Sequence, residues 1–296
     1  MIRTSDPKMD ITMPVAAEYG ILSGATTVKT VNSDHWISGF THEVSDSNTS
    51  VELARILGGT EVEQILASPN GKTMLSYQPF MIRTKVDGST FGSDLGRFKE
   101  LARENLDLVK QMAVETEFWS GAISKKIIED QNVSALDHST TNRYLASSLA
   151  TDVTPVAGTG VKPRYAQALL EEALVSSNLG YQGLIHTPRA VASVLKIKEG
   201  RGGALRTNLG TPVVAGAGYS KQGPDGTDAA SGKYWMYATG PVTVILGEDA
   251  VFPDTHAQAV NARNNTIEYF AELPAAVVWS TQHVYAVLVD LSLDYQ

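Results

Sequence analysis

The chain has 296 residues, a formal net charge of −8 and no cysteine. The missing cysteines exclude disulfides, thiolate metal sites and cysteine nucleophiles, and they fit synthesis in a reducing cytoplasm. The acidic balance argues against a broad basic face for nucleic acid, although an acidic wall can enclose a polyanion without binding it. Hydrophobic residues make up 43 % and charged residues only 19 %, which is typical of a folded protein that buries surface against other subunits.

The hydropathy pattern offers no segment for a membrane. Residues 1–12 lack the apolar core of a signal peptide. The best apolar run, 284–293, is interrupted by Asp290 and is too short to span a bilayer, so it predicts a buried strand. We therefore expect no membrane partner.

The first 32 residues show little periodicity and contain scattered prolines and small residues. Such a segment would fray in a monomer, so it predicts an arm that packs on another surface, such as a neighbouring subunit. Residues 49–57 predict a short helix, which Gly58 and Gly59 would end.

Residues 60–87 predict a long hairpin. Asn70 and Gly71 provide turn chemistry at 69–72, because both residues tolerate a left-handed backbone. A hairpin of this length has too little core of its own to be stable alone. We therefore expect it to lie on a partner surface.

The strongest helical signal runs from residue 95 to residue 120, ahead of Gly121 as a C-terminal stop. At 1.5 Å per residue this helix would be roughly 39 Å long, longer than most helices of a compact domain. Its main stripe comprises Leu95, Phe98, Leu101, Ala102, Leu106, Val109, Met112, Ala113 and Trp119. Val114 and Phe118 lie off this stripe and give the C-terminal end a second apolar surface. The pattern predicts a rigid strut, with an ordinary core helix as the alternative.

The second half of the chain alternates short helices and strands. Pro163 begins a helix that is predicted to reach residue 177, and Thr187 and Pro188 begin another that ends near Leu195. Residues 220–232 have the composition of an exposed loop tip. The remaining predicted segments are a connection at 132–160 and strands at 183–186, 233–246 (crossing Gly240 and Pro241), 266–279 and 283–293.

Motifs for metal or phosphate binding are weak. The histidines share no metal-binding spacing and are more typical of core or surface positions: His35, His42, His138, His186, His256 and His283. Gly216, Gly218 and Gly223 resemble a phosphate-binding loop. The lysine of such a loop is missing, however, and Pro224 would block the helix that a dinucleotide loop opens. A glycine-rich turn between strands is therefore favoured.

Motifs for catalysis are also weak. Residues 225–228 begin like a calcium loop but lack its later bidentate glutamate, so a solvated tip is favoured. The carboxylates that lie close together in sequence are predicted to be solvated rather than acid/base pairs: Glu61, Glu63, Glu171 and Glu172. Four aromatic residues on apparent strands predict core or interface rather than base stacking: Trp235, Tyr237, Trp279 and Tyr285. The sequence predicts no catalytic, cofactor or metal site and does not indicate an enzyme.

The order of elements resembles the major capsid protein family of tailed bacteriophages, whose α+β fold is named after phage Hong Kong 97. The resemblance covers essentially the whole chain. Within this family, the chain is similar to capsid subunits of the actinobacterial phage type. The resemblance rests on the order and joint presence of four stretches: GLIHTPRAVASVL, LRTNLGTPVVAGAGY, YWMYATGPVTVILGED and ELPAAVVWSTQHVYAVLVDLS.

The resemblance implies a layout for the whole chain. Carried over by position, it gives an N-terminal arm at 1–32, an extended loop at 33–92, a peripheral domain at 93–161 with its spine helix at 95–120, an axial domain at 162–248, a long peripheral strand at 249–274 and a closing axial strand at 275–296. Residues 220–232 would then point toward the centres of pentamers and hexamers.

The resemblance also implies partners. Many relatives carry a removable N-terminal scaffolding segment, whereas this chain begins at Met1 without one, so we expect a separate scaffold protein. A portal, decoration proteins and packaged double-stranded DNA, held without sequence-specific binding, are the other implied partners. The expected location is the virion, after assembly in the host bacterial cytoplasm.

Some members of the family join subunits through a Lys–Asn isopeptide bond that a nearby carboxylate assists. Lys72 at the predicted hairpin tip, Asn264 or Asn265, and Glu268 have the residue types that such a bond requires. Ordinary turn and strand roles are favoured, because an unperturbed lysine is almost fully protonated in water and is a poor nucleophile.

The favoured function is therefore that of a major capsid protein, which self-assembles into pentamers and hexamers of an icosahedral shell around the genome. One alternative is an encapsulin-type nanocompartment subunit, which shares the fold and houses a cargo enzyme. The alternative from another class is a soluble α/β enzyme or binding domain.

Overall fold

The computed structural model describes residues 15–32, 34–37, 40–46, 49–54, 62–68, 71–77, 79–89, 95–122, 125, 144–178 and 182–292. These residues form two larger β-sheets and a two-stranded ribbon around one long helix. The predicted α+β class is confirmed. Within the described residues, no helix combines the length and the apolar character that crossing a membrane requires.

The strands in chain order are β1 (Thr27–Thr30), β2 (Phe40–Asp46), β3 (Thr49–Ala54), β4 (Val62–Ser68), β5 (Gly71–Tyr77), β6 (Phe80–Ser89), β7 (Thr151–Asp152), β8 (Leu184–Pro188), β9 (Lys198–Glu199), β10 (Leu205–Arg206), β11 (Pro212–Gly216), β12 (Lys233–Thr239), β13 (Val242–Leu246), β14 (Ala250–Phe252), β15 (Val260–Asn261), β16 (Thr266–Trp279) and β17 (Tyr285–Asp290). The helices are α1 (Leu95–Ser120), α2 (Pro163–Asn178), α3 (Arg189–Ala192) and α4 (His256–Ala259).

Helix α1 has the bounds that the sequence predicts. Gly121 ends it with a φ of +61°, and a Cβ there would lie 2.4 Å from the ring of Tyr144, so the position requires glycine. The two-sided C-terminal end is also confirmed, because Val114, Phe118 and Trp119 are all buried.

The predicted main stripe of α1 needs one correction. Val109 and Met112 are exposed. The reason is that the first sheet covers the helix only along the line of Ala102 and Leu106, and the last two turns are buried between both sheets.

The first sheet is organised around β16, which has 14 residues. Strands β13, β14, β15 and β6 all pair with it in antiparallel fashion, and β1 joins β13 in parallel. The pairing with β6 extends from Thr266 opposite Ser89 to Ala275 opposite Phe80. One face of this pair packs against α1, with Ile82, Ile267, Tyr269 and Ala271 buried.

The second sheet has the order β7-β17-β12-β8-β11-β10-β9. Helix α2 covers it through Ala166, Leu170 and Leu174, which pack with Ile185 and Met236 of the sheet. The predicted helix at 163–177 and the buried strand at 183–186 are confirmed. Pro188 ends β8 and precedes α3 instead of lying inside the helix.

The structure divides the chain between the two sheets at places other than those predicted. Residues 233–246 form two strands in different sheets, because the chain leaves the second sheet at Gly240 and Pro241. Proline has no N–H with which to continue a ladder. The predicted axial segment 162–248 therefore includes β13 of the first sheet.

The other predicted boundary, between residues 274 and 275, lies inside β16. Pro274 is paired with Met81 and does not interrupt the strand. Pairing with β13 carries β16 on to Trp279, and only β17 returns to the second sheet.

The hairpin predicted at 60–87 is wrong, because its two arms, β4 and β5, pair with earlier strands and not with each other. Strand β2 pairs with β5 from Phe40–Tyr77 to Asp46–Gly71, and β3 pairs with β4 in the same register from Thr49–Ser68 to Leu53–Gln64. The two pairs share one register, and we call them together the ribbon. The helix predicted at 49–57 is wrong, because Thr49–Ala54 form β3. Residues 55–61, with Gly58 and Gly59, lie outside the described residues.

Candidate functional site

The base of the ribbon is fixed to the first sheet. The Tyr77 hydroxyl donates a hydrogen bond to the Trp279 carbonyl at 2.7 Å, and the Trp279 N–H donates back to it at 3.3 Å. The Phe40 ring stacks on Tyr77 with centroids 5.7 Å apart, and Trp36 meets Phe40 edge-on at 6.0 Å. Ile245 and Val278 complete this cluster, which we call the ribbon base.

The described strands of the ribbon belong to neither of the two larger sheets. Among the described residues, β3 and β4 pair only with each other, and the same holds for β2 and β5. An isolated two-stranded hairpin is marginally stable in water at best. The geometry therefore matches a surface that another molecule covers.

The sheet face beside the ribbon base is exposed and partly apolar. Met81 and Phe252 are 41 % and 46 % exposed and line a groove of about 420 Å³ together with Trp36 and Ile37. Farther along the same face, Lys85 forms a 2.9 Å ion pair with Glu268, and the Arg83 and Lys85 side chains lie over the Phe270 ring. This face offers apolar contact bordered by paired charges, a composition that suits protein association.

A buried polar network lies where α1 meets both sheets, and we call it the junction. The Thr239 hydroxyl donates to the Gly240 carbonyl, so it accepts from His186 Nε2 at 2.9 Å. His186 Nδ1 is then left to accept from the Tyr219 hydroxyl at 3.1 Å. These bonds need a neutral imidazole, and burial lowers the pKa of His186 to about 3.

Glu115 of α1 is the acidic member of the junction. Its carboxylate accepts hydrogen bonds from the N–H groups of Ile21 at 2.9 Å and Gly218 at 2.8 Å. Burial raises the pKa of Glu115, and the backbone donors and the charge of Arg189 oppose that shift. Burial and the neighbouring Glu115 charge raise the pKa of Tyr219.

The junction has the character of a structural network. His186, Glu115 and Thr239 are completely buried, so no substrate reaches them while the subunit stays closed. The Gly218 N–H, which the glycine pattern offered to a phosphate, is already bonded to Glu115. The described residues include no group of His, Asp and Glu side chains that could hold a metal ion.

Several sequence-based site predictions are confirmed. Within residues 220–232 the turn is exposed at Asp225, Thr227 and Asp228, where the Asp225 carboxylate accepts from the Thr227 N–H at 2.9 Å, whereas Gly223 is buried. Trp279 and Tyr237 are buried in the core, and Trp235 is partly buried against it. These aromatic side chains are packing groups.

One carboxylate prediction is wrong. Glu172 is exposed as expected, but Glu171 is buried and accepts a hydrogen bond from the Thr207 hydroxyl. The loop before β11 covers that side of α2, and this could not be read from the helix alone. Glu61 lies outside the described residues, and Glu63 is described only as a position in β4.

The residues considered for a cross-link lie on different elements. Lys72 is in β5 opposite Ser45, in the middle of the ribbon and not at its tip. Asn264 and Asn265 lie in the turn before β16, where Asn265 has a φ of +53°. Glu268 pairs with Lys85 of its own chain. Within one subunit the structure does not bring Lys72 and Glu268 together.

Sequence reasoning missed Glu115. The available signal was a charged residue inside the apolar end of α1, in the stretch MAVETEFW. Its donors, Ile21 and Gly218, are 94 and 103 positions away along the chain. Only the tertiary fold shows that their backbones meet this side chain.

Comparison with known proteins gives an answer only at the level of structure. No protein-family model and no curated protein matches this chain. The solved capsid of Ralstonia phage GP4 superimposes with a TM-score of 0.53 at 10 % identity, covering 98 % of each chain. This chain has a phage-capsid fold.

Other solved structures share the capsid fold. The capsid of an empty GTA particle matches with a TM-score of 0.53 at 14 % identity over 95 % of this chain and all of that one. A structure of Mycobacterium phage Cain matches with a TM-score of 0.51 at 8 % identity over 98 % and 94 % of the two chains. Because the capsid fold matches particles from several sources about equally well, it does not single out the actinobacterial type.

Proposed function

We propose that this chain is the major capsid protein of a tailed double-stranded DNA bacteriophage. The observation that carries the proposal is the end-to-end match to a phage capsid, which leaves almost no part of either chain unaccounted for. The capsid fold supports a place for the chain in a shell. It also explains a ribbon and a sheet face that need neighbours.

In this proposal the subunits form pentamers and hexamers of an icosahedral head. The ribbon and the exposed face of the first sheet supply contacts between subunits. The net charge of −8 suits a wall around packed DNA, because it repels the polyanion and keeps it from adhering. A separate scaffold protein, a portal and decoration proteins are the proposed partners, and the virion is the proposed location after assembly in the host bacterial cytoplasm.

The test is assembly of the purified chain, alone and with the scaffold protein encoded nearby. We expect size-exclusion chromatography and electron microscopy to show closed particles of megadalton mass. Only monomers or dimers under both conditions would contradict a shell role and favour a soluble enzyme or binding domain. The contents of particles from the native source separate the shell alternatives, since nuclease-protected DNA marks a phage head and an enclosed enzyme marks an encapsulin-type compartment.

The same particles test covalent joining of subunits. We propose that the subunits are not cross-linked, because Glu268 already has a lysine partner in its own chain. Denatured particles are then expected to run as a single monomer band, and a ladder of multiples would contradict this.

A further inference from the structure

The segment 15–26, which we call the strap, lies across the junction. Three consecutive carbonyls of the strap accept hydrogen bonds from three different elements: Ala17 from Gln111 Nε2 at 2.6 Å, Glu18 from Arg189 Nη1 at 2.7 Å, and Tyr19 from the Ala215 N–H at 2.9 Å. The side chain of Ile21, which belongs to the strap, is completely buried. The strap is therefore docked through its backbone and through the buried side chains of Ile21 and Ala25.

The loop that follows β11 approaches α1 from another direction. A Cβ on Gly218 would lie 2.4 Å from the Met112 carbonyl, so the loop backbone contacts the helix directly. Thr116 Oγ1 lies 3.3 Å from the Gly218 carbonyl, and the Tyr219 ring stacks on Trp119 with centroids 4.6 Å apart. These contacts hold the first residues of the loop against α1. The exposed part of the turn, around Asp225, follows them in the chain.

One carboxylate holds both segments. Glu115 Oε1 accepts from the Ile21 N–H of the strap, and Oε2 accepts from the Gly218 N–H of the loop. The Ala217 N–H of the same loop also interacts with this carboxylate. A completely buried carboxylate needs these donors, because an unsatisfied buried charge is strongly unfavourable.

We propose that Glu115 is a coupling residue through which docking of the strap and the position of the 216–222 loop control each other. If the strap leaves, Glu115 loses a donor and gains water, so its hold on Gly218 weakens. If the loop shifts, the hold on Ile21 weakens by the same thermodynamic factor. This inference goes beyond the proposed function, because it concerns a single subunit and does not depend on assembly.

The test is hydrogen exchange of the unassembled full-length subunit, followed by mass spectrometry of peptides from the strap and from residues 216–222. The variant Ile21→Ala removes the largest buried side chain of the strap. Because Ile21 shares a hydrophobic cluster with Tyr219 of the loop, a double-mutant cycle with Glu115→Gln is needed to separate a direct effect from one through Glu115. We expect exchange to rise about tenfold in the strap and also in the loop, the size expected when hydrogen bonds to a charged group are weakened. The matched control is Leu169→Ala in α2, whose side chain packs against a separate cluster, and it is expected to leave the loop unchanged relative to the rest of the subunit.

The double-mutant cycle with Glu115→Gln decides the mechanism. Gln keeps the shape of the side chain but loses one acceptor, so hydrogen exchange in the loop should already be faster in the single variant. Adding Ile21→Ala to Glu115→Gln should then change the exchange rate of the loop less than twofold. The milder Gln111→Ala, which removes one strap bond, serves in the same cycle if Ile21→Ala fails to fold. The proposal is overturned if the strap opens and the loop does not respond, or if the response is the same with Gln at position 115.

Discussion

The junction and the ribbon are built on opposite principles, although both carry large aromatic residues. At the junction, Phe118 meets His186 and Trp279 edge-on at 5.0 and 5.3 Å, and the buried polar groups described there have partners in the same chain. In the described part of the ribbon, such aromatic packing is seen at its base. Farther out, β3 and β4 have only each other among the described residues.

Under the proposed function, this difference separates two tasks. The junction holds the two sheets together with contacts made within one chain. The ribbon pairs with neither larger sheet among the described residues, and we expect a neighbouring subunit to cover it. Stability measured on the isolated subunit should therefore depend on the junction, whereas assembly should depend on the ribbon.

The largest effect on stability is expected from protonation at the junction. The pKa of His186 is about 3 in the folded subunit and near 6.5 when unfolded. Between these values the unfolded chain binds the extra proton, so stability is complete above pH 6.5 and falls as the pH decreases toward 3. From pH 7 to pH 5 the free energy of unfolding should drop by about 2 kcal/mol on account of His186.

Urea unfolding of the unassembled subunit at the two pH values measures this drop. His186→Gln is the control, since it cannot titrate and keeps the contribution of Glu115 and other groups. The variant should be less stable at pH 7 but should lose less stability at pH 5. An equal loss in both proteins would show that His186 is not the responsible group.

A smaller effect is expected at the ribbon base. Tyr77→Phe removes the hydroxyl and leaves the Trp279 carbonyl and N–H without that partner. The free energy of unfolding should fall by about 1 kcal/mol in the same urea experiment. Tyr165→Phe, at a side chain that is 52 % exposed, is the control and should change it by less than about 0.5 kcal/mol. An equal loss in the two variants would mean that the base is not a stabilising anchor.

Shortening the ribbon is expected to have the smallest effect on the free energy of unfolding. It is expected to have the largest effect on assembly. Asp46 and Gly71 are directly opposite, so an Asn-Gly turn can replace residues 47–70. The subunit should unfold within about 0.5 kcal/mol of the full-length protein, because the removed strands pair only with each other among the described residues. Closed particles should disappear in electron micrographs.

The matched control for the shortened ribbon is Gly58→Asn, which places the same Asn-Gly pair in a ribbon of full length. It should assemble normally. Normal particles from the shortened chain would remove the proposed role of the ribbon, and a large loss of stability would show that the ribbon also supports its own subunit.

The sequence predicts best what is locally determined. Helix α1 has its predicted bounds because apolar periodicity and Gly121 act within a few turns. The predicted hairpin fails because the turn residues Asn70 and Gly71 do not reveal which strands pair, and β4 and β5 pair with β3 and β2 instead of with each other. Glu115 and the crossing at Pro241 depend on partners far away in the chain, and no local pattern reports them.

The central position of β16 also fixes when the subunit can fold during synthesis. Strand β1 pairs with β13, and β6 pairs with β16, so neither has its sheet partner until the last part of the chain has been translated. The bond that anchors the ribbon joins residues 202 positions apart. Such distant pairing is slow and leaves edges open to aggregation. A nascent chain on the ribosome therefore does not yet display the finished surface, and under the proposed function shell growth would recruit subunits only after β13 and β16 have been made.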